Sequence, residues 1–310
     1  MSHTKKRSKV RQSRGDRAFG MANGILVALS FIITVYPLIY VISASVSSPD
    51  AVMSGRMFLW PVDITWKGYQ YILQYSDIWM GYANTLFYTV VGTTINLAVT
   101  LPCAYGLSRR DVPFRGVVMT LFLITMYING GLIPGYINLS ELGMLNTRWA
   151  LLIPGAVSTY NLIVARTFFA NTIPWELHEA AFLDGCANFR LFLKIVLPLS
   201  APIVVVMLLY YGVGHWNSYF NAMIYLSDRT KYPLQVFLRE ILTKGQFAAD
   251  AVKSGASFTE EEMIAMIKQA ETANLIKYCV IIVSTVPMMI LYPFLQRFFT
   301  KGVMIGAVKG

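Results

Sequence analysis

Charged residues are scarce in this 310-residue chain, which contains 26 Lys and Arg, 16 Asp and Glu, and 55% hydrophobic residues. A soluble domain usually has about a quarter of its residues charged, whereas the charged share here is 14%. Too few polar side chains are present to cover the surface of soluble domains of this length. The composition therefore disfavours a soluble globule and a disordered chain, and favours a membrane protein.

Cysteine and histidine are also rare, with three of each. Cys103, Cys186 and Cys279 are widely separated, so no disulfide framework or metal-binding spacing follows from them. The dipeptide His178-Glu179 begins an HExxH zinc pattern but lacks its second histidine. No GxSxG nucleophile elbow occurs either. The sequence therefore predicts no catalytic residue and no metal site, which counts against a membrane enzyme.

Long apolar runs are abundant, and they predict an all-α polytopic protein with six transmembrane helices. Each run is long enough to cross a hydrocarbon core of roughly 30 Å. The predicted spans are Ala22–Val46, Asn84–Ser108, Gly116–Ile137, Trp149–Ala170, Leu199–Leu226 and Ala273–Leu295. They divide the chain into a basic tail (1–21), a six-helix domain (22–295) and a C-terminal tail (296–310).

The first apolar run follows seven basic residues that all precede residue 18. This run exceeds the 7–15 apolar residues of a signal peptide, which predicts an uncleaved membrane helix. The basic stretch lacks the aromatic residues of a nucleic-acid stacking surface, so no nucleic-acid partner is expected. Its position is typical of a cytoplasmic flank.

The distribution of charge predicts the orientation in the membrane. The segments on the side of the two termini hold 16 Lys and Arg against 5 Asp and Glu, a net charge of +11. The opposite segments have a net charge of −1, which completes the total of +10. Because basic residues accumulate in cytoplasmic loops, we predict that both termini are cytoplasmic in a bacterial inner or plasma membrane.

Two segments between spans carry recognisable signals. The outer segment 227–272 contains Thr259 followed by Glu262, a capping box that predicts a helix leading into the sixth span. In the inner segment 171–198, Pro174 suits a helix start, Gly185 a helix end, and Pro198 the end of a second helix. From these residues alone, the inner segment could equally be an amphipathic pair lying at the membrane surface.

The spacing of this inner segment resembles the EAA loop of ABC importer permeases. Glu179-Ala180-Ala181 is followed after three residues by Gly185, and after nine more by Ile195, Leu197 and Pro198. The loop lies between the fourth and fifth predicted spans, a position that also matches that family. The stretch Trp60–Tyr69, the run Trp216-Asn217-Ser218-Tyr219 and the C-terminal residues 297–310 also resemble maltose-type permeases of carbohydrate ABC importers, most of all those for complex oligosaccharides.

This resemblance implies a type I ABC importer permease fold and a set of partners. They are a cytoplasmic ATPase dimer, a second homologous permease, an external sugar-binding protein, and a carbohydrate substrate. The dipeptide Gly-Lys never occurs, so the chain lacks a Walker A loop. No cofactor is expected in this chain, and ATP and Mg would be bound by the partner ATPase.

The resemblance also implies roles for particular residues. The coupling positions that would contact the ATPase are Glu179, Ala180, Ala181, Gly185, Ile195, Leu197 and Pro198. A tail reaching between the ATPase subunits would use Gly302, Gly306 and Lys309. The alternatives are that Glu179 only favours a helix N-terminus, that the alanines are ordinary helix formers, and that the tail is a frayed end.

A substrate path is predicted along the fifth span. Aromatic rings and amides suit sugars, whose C–H faces are apolar and whose hydroxyl groups need partners. The candidates are Tyr211, His215, Trp216, Asn217 and Tyr219. Helix packing and an interfacial aromatic belt explain them equally well. Four asparagines in the spans are likewise candidates for hydrogen bonds between helices, and they are Asn84, Asn96, Asn129 and Asn161.

Two other classes of function remain as alternatives. An ion-coupled secondary transporter usually has carboxylates within the membrane, but the six spans contain no Asp or Glu. A non-transporting assembly subunit fits the composition but leaves the coupling positions unexplained. The sequence therefore favours an ATP-driven importer that works by alternating access.

Overall fold

The structure, a computed structural model, describes the backbone of residues 13–254 and 259–307, and no strand occurs in these two ranges. The α-helices are α1 (Arg14–Ser45), α2 (Pro49–Met53), α3 (Lys67–Gln74), α4 (Ser76–Ser108), α5 (Arg115–Tyr127), α6 (Leu132–Glu141), α7 (Trp149–Leu152), α8 (Thr159–Thr172), α9 (Trp175–Leu183), α10 (Asn188–Leu191), α11 (Leu197–Leu199), α12 (Ala201–Trp216), α13 (Phe220–Tyr225), α14 (Leu234–Ser254) and α15 (Glu260–Ala307). A π-helical turn (Phe192–Val196) joins α10 to α11, and a 3₁₀ turn (Arg229–Lys231) precedes α14.

All six predicted spans coincide with helical segments, which confirms the all-α membrane fold. In the described ranges, three helices are long and apolar enough to cross a membrane by themselves, and these are α1, α4 and α15. Two bent pairs pass the same test together, which gives up to five spans by length and composition. The count of six spans therefore stays a prediction.

The other spans contain breaks that the apolar runs did not reveal. The third span bends by 114° between α5 and α6, where Gly131 has a φ of +86° that favours glycine. The fourth span is interrupted between α7 and α8, and α8 has 14 residues, a length of about 21 Å. The fifth span consists of α12 and α13. Because hydropathy reports polarity and not backbone conformation, it cannot locate such breaks.

Helix α4 lies at the centre of the fold and packs against α8, α12 and α14. Four buried polar side chains of α4 form hydrogen bonds to other parts of the chain, and we call these four the polar seam. Its members are Asn84, Thr85, Asn96 and Thr100. Apolar surfaces gain little from mutual contact in lipid, so hydrogen bonds from such residues help to specify which helices pack together.

Helices α14 and α15 form an antiparallel pair on the side predicted to be external, and α15 also packs against α1, α3 and α12. The predicted capping box at the start of α15 is confirmed. The Glu262 backbone N–H donates to Thr259 Oγ1 at 3.3 Å, and the Thr259 N–H donates to Glu262 Oε2 at 3.0 Å. Hydrogen bonds from the backbone N–H and the hydroxyl of Thr259 to the Glu262 carboxylate lower the pKa of that carboxyl.

Candidate functional site

The predicted coupling segment folds as a helix, a glycine turn and a second helical stretch. Helix α9 begins directly after Pro174. It ends at Leu183, and the φ of +67° at Gly185 allows two closing hydrogen bonds. The N–H of Gly185 donates to the Phe182 carbonyl at 3.0 Å, and that of Cys186 donates to the Ala181 carbonyl at 2.9 Å. This pair of bonds is a Schellman motif, so the predicted helix end at Gly185 is confirmed.

The second stretch of this segment continues further than the sequence indicated. It passes through the π turn into α11 and ends at Leu199, so the helical stretch continues past the end predicted at Pro198. Proline is tolerated in the first turn of a helix, where its missing N–H has no partner to lose. Pro198 occupies such a position in α11.

The coupling positions divide between two faces of the segment. Glu179, Ala180, Gly185 and Pro198 are exposed. Ala181 is 6% exposed, and Ile195 and Leu197 are half-buried against the same apolar cluster. The exposed group is therefore free to contact another surface, while the inward group attaches the segment to the rest of the fold.

The inward face of the coupling segment packs on the ends of three long helices. Its buried residues Leu191, Phe192 and Val196 join one cluster with residues of α4, α8 and α12. Within this cluster, the Tyr105 ring stacks on Phe192 with centroids 5.2 Å apart. The coupling segment is therefore packed directly against α4, α8 and α12.

Arg109 forms a second attachment between the coupling segment and the membrane helices. It follows α4, is 7% exposed, and donates to Asp111 through Nε at 2.8 Å and through Nη2. Its Nη1 donates to Asn188 Oδ1 at 2.6 Å. Its guanidinium also lies 5.4 Å from the centroid of the Phe182 ring. Two of its contacts thus belong to the coupling segment.

The ion pair between Arg109 and Asp111 shifts the pKa of each side chain. Hydrogen bonds from Arg109 lower the pKa of the Asp111 carboxyl. The bond to Asp111 raises the pKa of Arg109, although burial alone would lower it. The sequence did not predict this attachment, although Arg109 belongs to an Arg-Arg-Asp tripeptide that directly follows an apolar run.

Three candidates of the substrate path form hydrogen bonds inside the helix bundle. His215 Nε2 lies 2.7 Å from Asn96 Oδ1, and Asn96 Nδ2 donates to the Gly155 carbonyl at 2.7 Å. The Tyr211 hydroxyl lies 2.8 Å from Thr100 Oγ1. Trp216 Nε1 donates to the Ser284 carbonyl at 3.0 Å. These contacts make His215 and Tyr211 part of the packing at the polar seam, and they make Trp216 part of the contact between α12 and α15.

The other two substrate-path candidates, Asn217 and Tyr219, follow the end of α12. Asn217 is exposed beyond the end of α12, and Tyr219 is half-buried. The Tyr219 ring faces Arg239 of α14. The structure thus separates the five candidates into an internal group and an outer pair, which sequence alone could not do.

The C-terminal tail continues α15. Gly302 and Gly306 lie within this helix, and Lys309 lies outside the described residues. Within residues 13–254 and 259–307, no group of three or more His, Cys, Asp or Glu side chains is placed to hold a metal ion. The roles assigned to the tail stay predictions.

Comparison with known proteins identifies the class. The family described as the inner membrane component of binding-protein-dependent transport systems matches residues 68–249. This chain belongs to that family. The resemblance to permeases of carbohydrate ABC importers is confirmed by the individual relatives.

Relatives match over almost the whole chain. The polygalacturonan/rhamnogalacturonan transport system permease YtcP of Bacillus subtilis strain 168 is 38% identical over 95% of this chain and 99% of its own length. The arabinooligosaccharide permease AraQ of Halalkalibacterium halodurans is 26% identical over 92% of this chain and 96% of its own. A solved bacterial ABC transporter for import of the acidic polysaccharide alginate is 34% identical, with a TM-score of 0.81, over 94% of this chain and 100% of that one.

Proposed function

We propose that this chain is the membrane-spanning permease subunit of an ATP-driven importer that moves an oligosaccharide into the cell by alternating access. The proposal rests on membership of the transport family and on the two-faced coupling segment. The printed names of its relatives concern polygalacturonan, arabinooligosaccharides and alginate, which favours a carbohydrate substrate. ATP and Mg would be bound by the partner ATPase.

The single observation that carries the proposed coupling is the exposed apolar surface of the coupling segment. Leu183 is 90% exposed and Phe189 is 71% exposed, while the adjoining residues Ala181 and Leu191 are buried. Large apolar side chains grouped on a polar surface mark an interaction site. We assign this surface, together with Glu179 and Ala180, to contact with the ATPase.

Motion of the segment would then follow the ATPase cycle. Closure of the ATPase dimer would move α9, and the attachments through Phe192 and Arg109 would carry this movement to α4, α8 and α12. The second permease would complete the proposed pore, which would open towards the external binding protein. The glycine-containing tail, with Gly302, Gly306 and Lys309, is assigned a further contact with the ATPase.

The coupling proposal is tested in proteoliposomes that contain the whole complex. Glu179→Arg and Leu183→Asp change exposed side chains, so they leave the fold intact. We expect ATP-dependent uptake to fall at least about tenfold, as for loss of an interface hot spot. Lys194→Gln changes an exposed charge of the same segment outside the coupling positions, and should have no effect.

The same assay separates the alternative classes. Uptake that continues without the ATPase and stops with a protonophore would support an ion-coupled transporter. Uptake that is unaffected by deletion of this chain would support an assembly subunit. Normal uptake by both Glu179→Arg and Leu183→Asp would overturn the assigned coupling surface.

A further inference from the structure

A cavity of about 460 Å³ lies beside the end of α12, between α14 and α15. Its size falls within the range of small-molecule sites. Its polar lining consists of Tyr219, Gln235, Arg239, Thr243, Gln246 and Ser284. None of these six residues contributes to the coupling segment or the polar seam, although the Ser284 carbonyl holds Trp216. We call this cavity the Arg239 pocket.

The pocket is built on one face of α14. Gln235, Arg239, Thr243 and Gln246 are spaced by four, four and three residues, which places their side chains along one side of a helix. α15 forms the opposite wall with Val280, Ile281 and Ser284. The pocket therefore combines hydrogen-bonding groups with an apolar wall.

Arg239 is the positive charge of this pocket, and among the side chains that the structure describes no carboxylate pairs with it. Other basic residues near the same helices do have such partners. Arg229 pairs with Asp77 and with Glu240, each at 2.9 Å. The Arg239 guanidinium instead lies 4.7 Å from the centroid of the Tyr219 ring, which fixes its position and leaves its N–H donors available.

This arrangement has the chemistry of a carboxylate-binding sugar site. A guanidinium can donate two parallel hydrogen bonds to one carboxylate. The aromatic ring of Tyr219 suits the apolar C–H face of a sugar. The amides of Gln235 and Gln246 and the hydroxyl of Thr243 can pair with sugar hydroxyl groups. A neutral sugar would leave the charge of Arg239 unused.

The geometry points to the Arg239 pocket as a subsite for the carboxylate of a uronic-acid oligosaccharide on the external side of the permease. This inference rests on the proposed function, since it names the class of substrate that the importer selects. The pocket lies between α14 and α15, away from the coupling segment. An experiment can therefore contradict this inference and leave the coupling proposal standing, or contradict the coupling proposal alone.

The test compares an acidic trisaccharide with its neutral counterpart. The complete complex, with its binding protein, is reconstituted in proteoliposomes, and uptake of trigalacturonate is measured against uptake of carboxyl-reduced trigalacturonate. We expect Arg239→Gln to raise the half-saturating concentration of trigalacturonate roughly 10-fold or more, as for loss of a hydrogen-bonded charge. Uptake of the neutral sugar should not change.

Two further variants make the result specific. Arg239→Lys keeps the charge but loses the planar pair of donors, so it should restore part of the affinity for trigalacturonate. Lys268→Gln removes the same charge from an exposed position of α15 that lines a separate cavity with Tyr71 and Tyr75. It should leave uptake of both sugars unchanged.

Each of the other possible results contradicts either the inference about the Arg239 pocket or the proposed function. Equal losses for both sugars in Arg239→Gln would assign Arg239 a structural role, and unchanged uptake of trigalacturonate would remove the pocket from substrate selection. A wild-type complex that imports the neutral sugar alone would overturn the pocket and leave the proposed function standing. Absence of ATP-dependent import of any saccharide would overturn the proposed function itself.

Discussion

At the scale of single residues, Arg109 joins the membrane helices to the coupling segment through one side chain. Arg109→Gln removes the charge that holds Asp111 and Asn188. We expect the free energy of unfolding to fall by roughly 1.5–3 kcal/mol, the value of hydrogen bonds to a charged group. The measurement is an unfolding titration of the purified complex in detergent, accompanied by ATP-dependent uptake, which should also fall.

The neighbouring residue provides the control for Arg109. Arg110 is exposed, and substitutions at such positions usually change stability by less than about 0.5 kcal/mol. Arg110→Gln should therefore behave as the wild type. Equal effects of the two substitutions would mean that loss of any positive charge in this connection accounts for the result.

Side-chain partners were the least predictable part of the site. The polar groups on the side chains of Tyr211, His215 and Trp216 predicted a hydrogen-bonding partner, either on a sugar or on another helix. Their actual partners are Thr100, Asn96 and Ser284, which are distant in the sequence. Such pairs depend on how the helices pack, and a single sequence does not contain that information.

At the scale of elements, two helix ends were predicted correctly because the forces that fix them are local, whereas the end predicted at Pro198 was not. The capping box at Thr259 and the stop at Gly185 each depend on residues within one or two helical turns. The breaks within the third, fourth and fifth spans were missed. Surrounding helices determine whether a Pro or Gly in a membrane segment is tolerated or ends a helix, so these breaks required the tertiary structure.

The helix end at Gly185 gives a prediction for the whole coupling segment. Gly185→Ala forces a Cβ into a left-handed backbone conformation, which should lower the free energy of unfolding by about 1–2 kcal/mol. The change should also reduce uptake by altering the angle between α9 and α10. Both effects can be measured on the reconstituted complex.

Gly116→Ala is the matched control for Gly185→Ala. Gly116 lies in α5, its φ is not positive, and a Cβ there would meet nothing within 4 Å. Because alanine is the better helix former, this variant should be as stable as the wild type or more stable. If both alanine variants were equally stable, the left-handed turn at Gly185 would not be required.

At the scale of the whole molecule, close approach of α4 and α12 holds the bundle together. A Cβ added to Gly92 would lie 2.5 Å from two ring atoms of His215. Gly92→Ala should therefore separate these helices and lower the free energy of unfolding by about 1–3 kcal/mol. Unfolding in detergent measures the loss.

Two further variants distinguish this steric effect from a general effect of alanine. Gly106→Ala lies on the same helix and would meet nothing within 4 Å, so it should be neutral. In the double variant Gly92→Ala/His215→Ala the clash is absent, and its cost should be smaller than the sum of the single costs. Strict additivity would show that Gly92 and His215 do not act on each other.

The length of α15 has a consequence that extends across the bilayer. At 1.5 Å per residue, its 48 residues extend about 70 Å, more than twice a hydrocarbon core of roughly 30 Å. One wall of the Arg239 pocket and the two tail glycines are thus parts of a single helix, with Pro287 and Pro293 between them. If a sugar in the pocket and a protein at the tail each prefer one tilt of this helix, each changes the affinity of the other by the same factor.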